Sequence, residues 1–488
     1  MPLLAAAPIA LILVLMLFWR WSAGKAGLAG LALTLVLAIT FFEFASVSRI
    51  MGSMTEAAFI SLTILWIIFS ALSIYELQRR TQALVQLQAM LSRLSHDPRL
   101  SALLIAWFFS LFMEGAAGFG TSAALAAPFL VSAGFRPVQA VIIALVGHAA
   151  GVSFGAVGTP IMPQLAVTPF SGAEIAAATV LYHGIAGWFL AAVCMKFIVR
   201  DLPQGPLTQG LLWSWTAFAA ACFLLPYMAL AYFVGPELPT LAGSIAGASL
   251  FVAGLRLVYQ RPLGDIPWRA LAPYLILIAL VLFTRLLPPV QQLASSYVWH
   301  WQWETFSGSF APLYHPGSLL VVSFFMGALL QKASREEILD CMRTAGLKLL
   351  PVLLALITML GLSRLMLHAG MVDTLAISVA AIAGLWWPLM APFVGMTGTF
   401  VTGSATASNI LLTDFQQTAA ERGNFAPLPL VGAQGFGAAL GNMICPHNII
   451  AAGATVGIAG QEGQVLRQTL WVAVIAAFIG GLLALILS

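Results

Sequence analysis

The chain has 488 residues, of which 61% are hydrophobic and 8% charged, with a mean hydropathy of +0.97 and a formal charge of +4. That balance leaves too little polar surface for a water-soluble domain of this size, so the solvent is lipid. The basic residues sit at the ends of apolar runs without interleaved aromatics, which excludes nucleic acid as a partner, and the four widely separated cysteines (Cys194, Cys222, Cys341, Cys445) exclude a disulfide framework and a metal cage.

Residues 2–18 form the first apolar run. No basic residue precedes it and no small-residue cleavage site follows, so it is expected to remain as a first helix. Runs near the roughly 20 residues that span a hydrocarbon core recur, for example at 57–75, 211–234 and 471–487. Residues 84–100 carry Arg93 and His96 among apolar positions and read equally as an interfacial helix or a cytoplasmic loop. Arg20 and Lys25, Arg79 to Arg99, Lys196 and Arg200, Arg256 to Arg269, and Lys332 to Arg343 mark successive loops as cytoplasmic. The loop at 288–316 is poor in Lys and Arg, and its Trp299, Trp301 and Trp303 beside His300 read as an aromatic belt on the outer side. Both termini then fall outside. Arg285 and Arg364 lie near outer span ends, where long cationic side chains are expected to snorkel to the interface.

The resulting fold class is an all-α polytopic membrane protein of about 12 transmembrane helices plus two re-entrant hairpins, at 99–135 and 388–416. The first hairpin is broken by Glu114-Gly-Ala-Ala-Gly-Phe-Gly-Thr-Ser122 and the second by Thr402-Gly-Ser-Ala-Thr-Ala-Ser-Asn409. Such mid-span breaks are tolerated only where protein or a water-filled cavity satisfies the freed backbone. The segments also look like copies: Leu145-Val146-Gly147 recurs as Leu430-Val431-Gly432, and the same offset of 285 places Gly118 on Gly403 and Thr121 on Thr406. Loop charge gives the copies opposite topology, the pattern of inverted-repeat secondary transporters. The expected organisation is a first repeat at 1–205, linker spans within 206–265 and a second, inverted repeat at 266–488.

These motifs resemble the lactate permease family, the lactate and glycolate transporters of bacteria. The similarity rests on the Glu114 string, on Gly134-Phe-Arg-Pro137, Phe154-Gly-Ala-Val-Gly-Thr-Pro160, Gly235-Pro-Glu-Leu-Pro239, Phe400 to Asn409 and Met443-Ile-Cys-Pro446, all in family order. The resemblance implies proton-coupled uptake of short monocarboxylates such as L-lactate, glycolate or a related 2-hydroxy acid through a bacterial inner membrane. It also implies an elevator-like motion of the hairpins and kinship with transporters that are often homodimers. The chain departs from the family pattern with Ala405 for a usual Asp, Asn442 for a Lys, Cys445 and His447 for Ser and Gln, and His148 for an Asn. Loss of one negative and one positive charge together reads as a lost ion pair. Other organic anions, including sulfonated ones, and sodium coupling therefore stay open.

Glu114, ionisable inside an apolar segment, is the leading proton carrier; the alternative is a carboxylate that caps freed backbone donors. His148 and His447 are further proton-coupling candidates, because imidazole titrates near neutrality. Candidate substrate-binding residues are Gly118, Gly120, Thr121 and Ser122 at the first break, and Thr402, Gly403, Ser404, Thr406, Ser408 and Asn409 at the second, with Asn442 and Asn448. Glycines and small donors at half-helix N-termini can hold a carboxylate without a fixed positive side chain. No cofactor, metal or ATP-driving motif is expected, and an intramembrane enzyme using Ser404 or Ser408 with a histidine base lacks any supporting motif.

Overall fold

The computed structural model describes residues 1–19, 21–91, 97–118, 120–259 and 266–488. Among these residues twelve helices are long and apolar enough to cross a bilayer. The number equals that expected, but the membership differs. Two of the twelve, Pro98–Ala116 and Met371–Thr402, contain hairpin arms, whereas the first helix, Pro2–Leu17, falls short at 16 residues. The 84–100 segment holds a helix at Ala83–Leu91 and the start of the first hairpin at Pro98, while Arg93 and His96 lie outside the described residues.

The same order of elements occurs twice. Long helix 1 (Val47–Arg80) precedes hairpin 1, made of Pro98–Ala116 and Thr121–Ser132; broken helix 1 (Pro137–Val167) and the helix Gly172–Asp201 follow. Long helix 2 (Arg335–His368) precedes hairpin 2, made of Trp387–Thr402 and Ala405–Arg422; broken helix 2 (Pro427–Val456) and Glu462–Leu487 follow. Local chemistry sets these boundaries. Prolines, which lack the N–H that a first turn leaves unused, open the segments at Pro98, Pro137, Pro427 and Pro446. Reciprocal Ser–Glu capping boxes, Ser171 with Glu174 and Ser334 with Glu337, open two others.

Matching helices of the two halves run antiparallel. Glu56 in the first third of long helix 1 meets Arg364 and His368 at the end of long helix 2, while Glu76 near the end of long helix 1 meets Lys348 in the first half of long helix 2. Likewise Lys196 and Arg200, at the end of one final helix, meet Trp471 and Gln468, early in the other.

Burial divides the molecule. Within the most apolar window of each, 94% of Pro98–Ala116, 100% of Pro137–Val167 and 89% of Pro427–Val456 is buried, against 33% of Trp268–Leu286. The hairpin 1 arm and both broken helices are thus shielded by their neighbours, and their irregular backbone meets protein rather than lipid. A second apolar cluster joins the N-terminal helices, both long helices and the second arm of hairpin 2.

Two expectations are corrected. The fold is not purely helical: Trp299–Trp303 and Phe306–Phe310 form an antiparallel β hairpin. The alternation of Trp299, Trp301 and Trp303 with His300 and Gln302 is a period of two, a strand signal that the reading as an aromatic belt overlooked. Nor do Arg285 and Arg364 snorkel. Their side chains are 6% and 3% exposed, and they pair with Glu237 and with Asp414 and Glu56 respectively.

Arg364 ties hairpin 2 to long helix 2, since its partner Asp414 sits on the second arm and also accepts from Ser363 at 3.1 Å. Removing one member of a buried pair leaves the other charge uncompensated, at a cost of about 3–5 kcal/mol. Arg364→Ala is therefore expected to lower the thermal unfolding midpoint in detergent sharply, with Arg364→Ala/Asp414→Ala recovering part of the loss. Equal midpoints for Arg364→Ala and wild type would show that the pair contributes nothing.

Candidate functional site

The first hairpin turns on two left-handed glycines, Gly118 (φ +58°) and Gly120 (φ +75°), and the second on Gly403 (φ +75°). A side chain at these positions would be strained, so glycine is required by the turn itself. It is also required by what the tips touch. A Cβ on Gly118 would stand 3.0 Å from that of Ala156, one on Gly120 would run into the amide of Asn448, and one on Gly403 would stand 3.1 Å from His447 Cβ. Both hairpin tips therefore close on His447 and Asn448, neighbouring residues where broken helix 2 resumes.

Three helices begin at this point: Thr121–Ser132, Ala405–Arg422 and Pro446–Val456. Each leaves first-turn N–H groups without intrahelical acceptors, and each carries a partial positive charge at its start. Their convergence makes a region suited to an anion although no Lys or Arg stands among the candidate residues. Asn442 and Asn448 add a buried amide pair, in which Asn448 Nδ2 donates to Asn442 Oδ1 and, at 3.1 Å, to its carbonyl. Asn448 Oδ1 is buried without a partner among the described residues. His447 is exposed and Gly403 and Ser404 are half-buried, so the cluster is open at the hairpin 2 tip.

Glu114 lies behind the first tip and is 2% exposed. Its Oε2 accepts from Ser122 Oγ at 2.7 Å, so the bond closes the hairpin between side chains instead of capping backbone donors. Its carboxylate rests on Gly155 in the break of broken helix 1, where any side chain would displace it. His148, within electrostatic reach of Glu114, has Nδ1 3.0 Å from the Ala144 carbonyl and is fully buried. A neutral ring that donates through Nδ1 keeps a lone pair on Nε2, and Nε2 has no partner among the described residues. The break beside them is strained: Ala156 (φ 41°) and Val157 (φ 56°) are left-handed, conformations costing about 1–3 kcal/mol each that concentrate at functional sites.

The remaining candidates are used mainly by the hairpins themselves. Thr121 Oγ1 donates to Gly118 O at 2.7 Å, Thr402 Oγ1 to Gly398 O at 2.8 Å, and Ser404 Oγ caps Ala407 N at 3.3 Å. Thr406 is buried at the second position of its helix. Ser408 and Asn409 do not reach the tip. Ser408 donates to Gly395 O at 2.8 Å, and Asn409 Nδ2 to Pro160 O at 2.8 Å, which fastens hairpin 2 to broken helix 1. His148 and His447 do not form a pair, the first being buried on broken helix 1 and the second exposed beside Gly403.

Sequence reasoning missed the polar residues that brace this region. Gln434 donates toward Ser408 (3.2 Å) and Asn409 (3.4 Å) and accepts from Gln416 at 3.2 Å, while His183 shares a 2.7 Å bond with Ser153. Their signal was available, since Gln434 and His183 are lone polar residues inside apolar spans. Ala405 packs in an apolar cluster with Val152, Ala438 and Ala439, about one helical turn before Asn442.

The L-lactate permease family model matches residues 2–488. The chain is 28% identical to the L-lactate permease of Streptococcus iniae, covering 87% of this chain and 92% of that protein. It is 27% identical to the glycolate permease GlcA of Escherichia coli K12, covering 99% and 95%. Its fold is similar to that of the YdaH transporter of Alcanivorax borkumensis, with a TM-score of 0.52 at 15% identity over 90% of this chain and 86% of that one. A match of this kind over almost the whole length, on a scaffold of apolar helices, establishes that the chain is a multi-pass membrane protein of the L-lactate permease family.

Proposed function

We propose that this protein is a secondary transporter that carries L-lactate, glycolate or a related 2-hydroxy monocarboxylate together with a proton across the bacterial inner membrane. The observation that carries the reading is the meeting of both hairpin tips and three helix N-termini at His447 and Asn448, with a buried carboxyl group, Glu114, directly behind. The anion is held at the N-termini, and Glu114 takes up and releases the proton with Ser122 and His148 as its surroundings. The names of the lactate and glycolate permease relatives support the substrate class.

The repeated element order and the antiparallel long helices support two inverted repeats, at 1–205 and 266–488, with 206–265 as linker spans. In this reading the two hairpins are re-entrant and move with the broken helices as an elevator against the outer helices. Loop charge places both termini in the periplasm. The Ala405 and Asn442 departures leave the anion site without its family ion pair, so selectivity rests on the helix ends and amides.

In proteoliposomes, an inward proton gradient is expected to drive accumulation of labelled L-lactate or glycolate without sodium. Glu114→Gln should lower gradient-driven accumulation by at least about tenfold, since a group that cannot ionise cannot carry the proton. Uptake that needs sodium and is untouched by Glu114→Gln would reject proton coupling at this residue.

Gly120→Ala forces a Cβ into a left-handed position, costing roughly 1–2 kcal/mol, and drives it into Asn448. Transport should fall by an order of magnitude or more in protein that still elutes as one monodisperse peak. Near wild-type uptake would remove hairpin 1 from the site.

A further inference from the structure

A cavity of about 1130 Å³ lies away from the hairpin tips, and none of the site residues above lines it. Its walls come from long helix 1, the end of broken helix 1 at Met162 and Leu165, the turn at Pro236 and Glu237, and the β hairpin. Arg285 stands in this wall. Its Nη2 donates to Glu237 Oε1 at 2.7 Å and to the Tyr314 carbonyl at 2.9 Å, and its guanidinium lies 3.4 Å from the centre of the Tyr314 ring.

The pair is incompletely satisfied. Among the described residues Arg285 Nη1 and Glu237 Oε2 are both without a partner, and both are buried on side chains that are each 6% exposed. An orphaned donor and an orphaned acceptor are each costly to bury, and two on one ion pair at a cavity wall suit a ligand that brings both an acceptor and a donor. Beside them His315 Nδ1 accepts the Gly317 N–H at 3.3 Å, which leaves Nε2–H as a donor. Burial, reinforced by Arg285, brings the His315 pKa down to about 4, so the ring is neutral near pH 7. Trp301, also on the cavity wall, has a buried Nε1–H without a partner among the described residues.

We propose that this cavity holds a second binding site for 2-hydroxycarboxylates, in which Arg285 and His315 donate to the carboxylate and Glu237 accepts from the 2-hydroxyl. The chemistry selects this class. A simple carboxylate satisfies Arg285 Nη1 but leaves Glu237 Oε2 unmet, whereas an adjacent hydroxyl supplies the missing donor. The volume is at or above the upper range for fitted small-molecule pockets, as suits a vestibule that gathers hydrated solute before transfer to the hairpin tips. The assignment rests on the transport reading above and adds a second recognition point to it.

The test uses full-length protein with the hairpin-tip site disabled by Gly120→Ala, or by Ser404→Trp if the first fails to fold. Equilibrium binding of labelled L-lactate is competed with unlabelled lactate and with propionate, which lacks the hydroxyl. The tip-disabled protein is expected to retain lactate binding, with about a tenfold preference over propionate, equivalent to roughly one hydrogen bond. Adding Glu237→Gln, which replaces the free acceptor by a donor, should reduce that preference to less than about twofold while propionate still binds. Wild-type lactate uptake with no binding left in either tip-disabled protein would overturn the cavity site alone. A wild-type protein that neither binds nor transports lactate would instead reject the transport reading and the cavity site with it.

Discussion

The structure depends on one constraint: a backbone that leaves helical pairing inside a bilayer must find its hydrogen bonds within the protein. Four interruptions meet this condition together, the two hairpin turns and the breaks in the two broken helices. Each is covered by the others. Hairpin 1 closes on broken helix 2 through Gly120 and Asn448, and hairpin 2 is fastened to broken helix 1 through Asn409 and Pro160. Packing the interruptions against one another covers them with protein and, by the same act, gathers helix N-termini in one place that opens at the hairpin 2 tip. The proposed anion site is a consequence of the way the breaks are accommodated.

Around this core the outer helices are held by charge. The two long helices are pinned at two levels, by Glu56 with Arg364 and His368 and by Glu76 with Lys348, while Arg79 of the same helix also pairs with Glu76. A third clasp, in which Arg99 bridges Asp97 and the Leu207 carbonyl, fixes the base of hairpin 1 to the segment that leads into the linker helices. Burial opposes ionisation of Asp97, but its bonds from Arg99 and from backbone N–H groups outweigh this and hold its pKa below the usual carboxylate range. Most ionisable side chains with buried partners thus serve the scaffold. Glu114 differs: its carboxylate is bonded to the Ser122 hydroxyl and rests on Gly155 with His148 nearby, and among the described residues it pairs with no Lys or Arg.

Much of this was legible in the sequence. Composition pointed to the membrane class, and glycine and hydroxyl residues inside apolar runs marked the helix–turn–helix units at Gly118–Gly120 and Gly403 and the Glu114–Ser122 region, because a turn between apolar helices favours those residue types. What stayed hidden depends on distant contacts. Nothing in the local pattern says that Gly120 meets Asn448, or that Ser408 faces Gln434 rather than the tip. Arg285 and Arg364 were misread because span-end cations commonly snorkel, and their acidic partners, Glu237 and Asp414, lie 48 and 50 residues away. The β hairpin was misread because tryptophan at a membrane edge suggests an interface before it suggests a strand.

The meeting point of the hairpin tips is where the transported anion is proposed to bind. The direct measurement is substrate protection of a cysteine placed there, Ser404→Cys, against a membrane-permeant thiol reagent. The native cysteines are all buried, and Ser295→Cys on an exposed helix serves as control. The account predicts that saturating L-lactate slows modification at position 404 severalfold and leaves position 295 unchanged. Equal rates with and without lactate at position 404, in protein that still transports lactate, would contradict it.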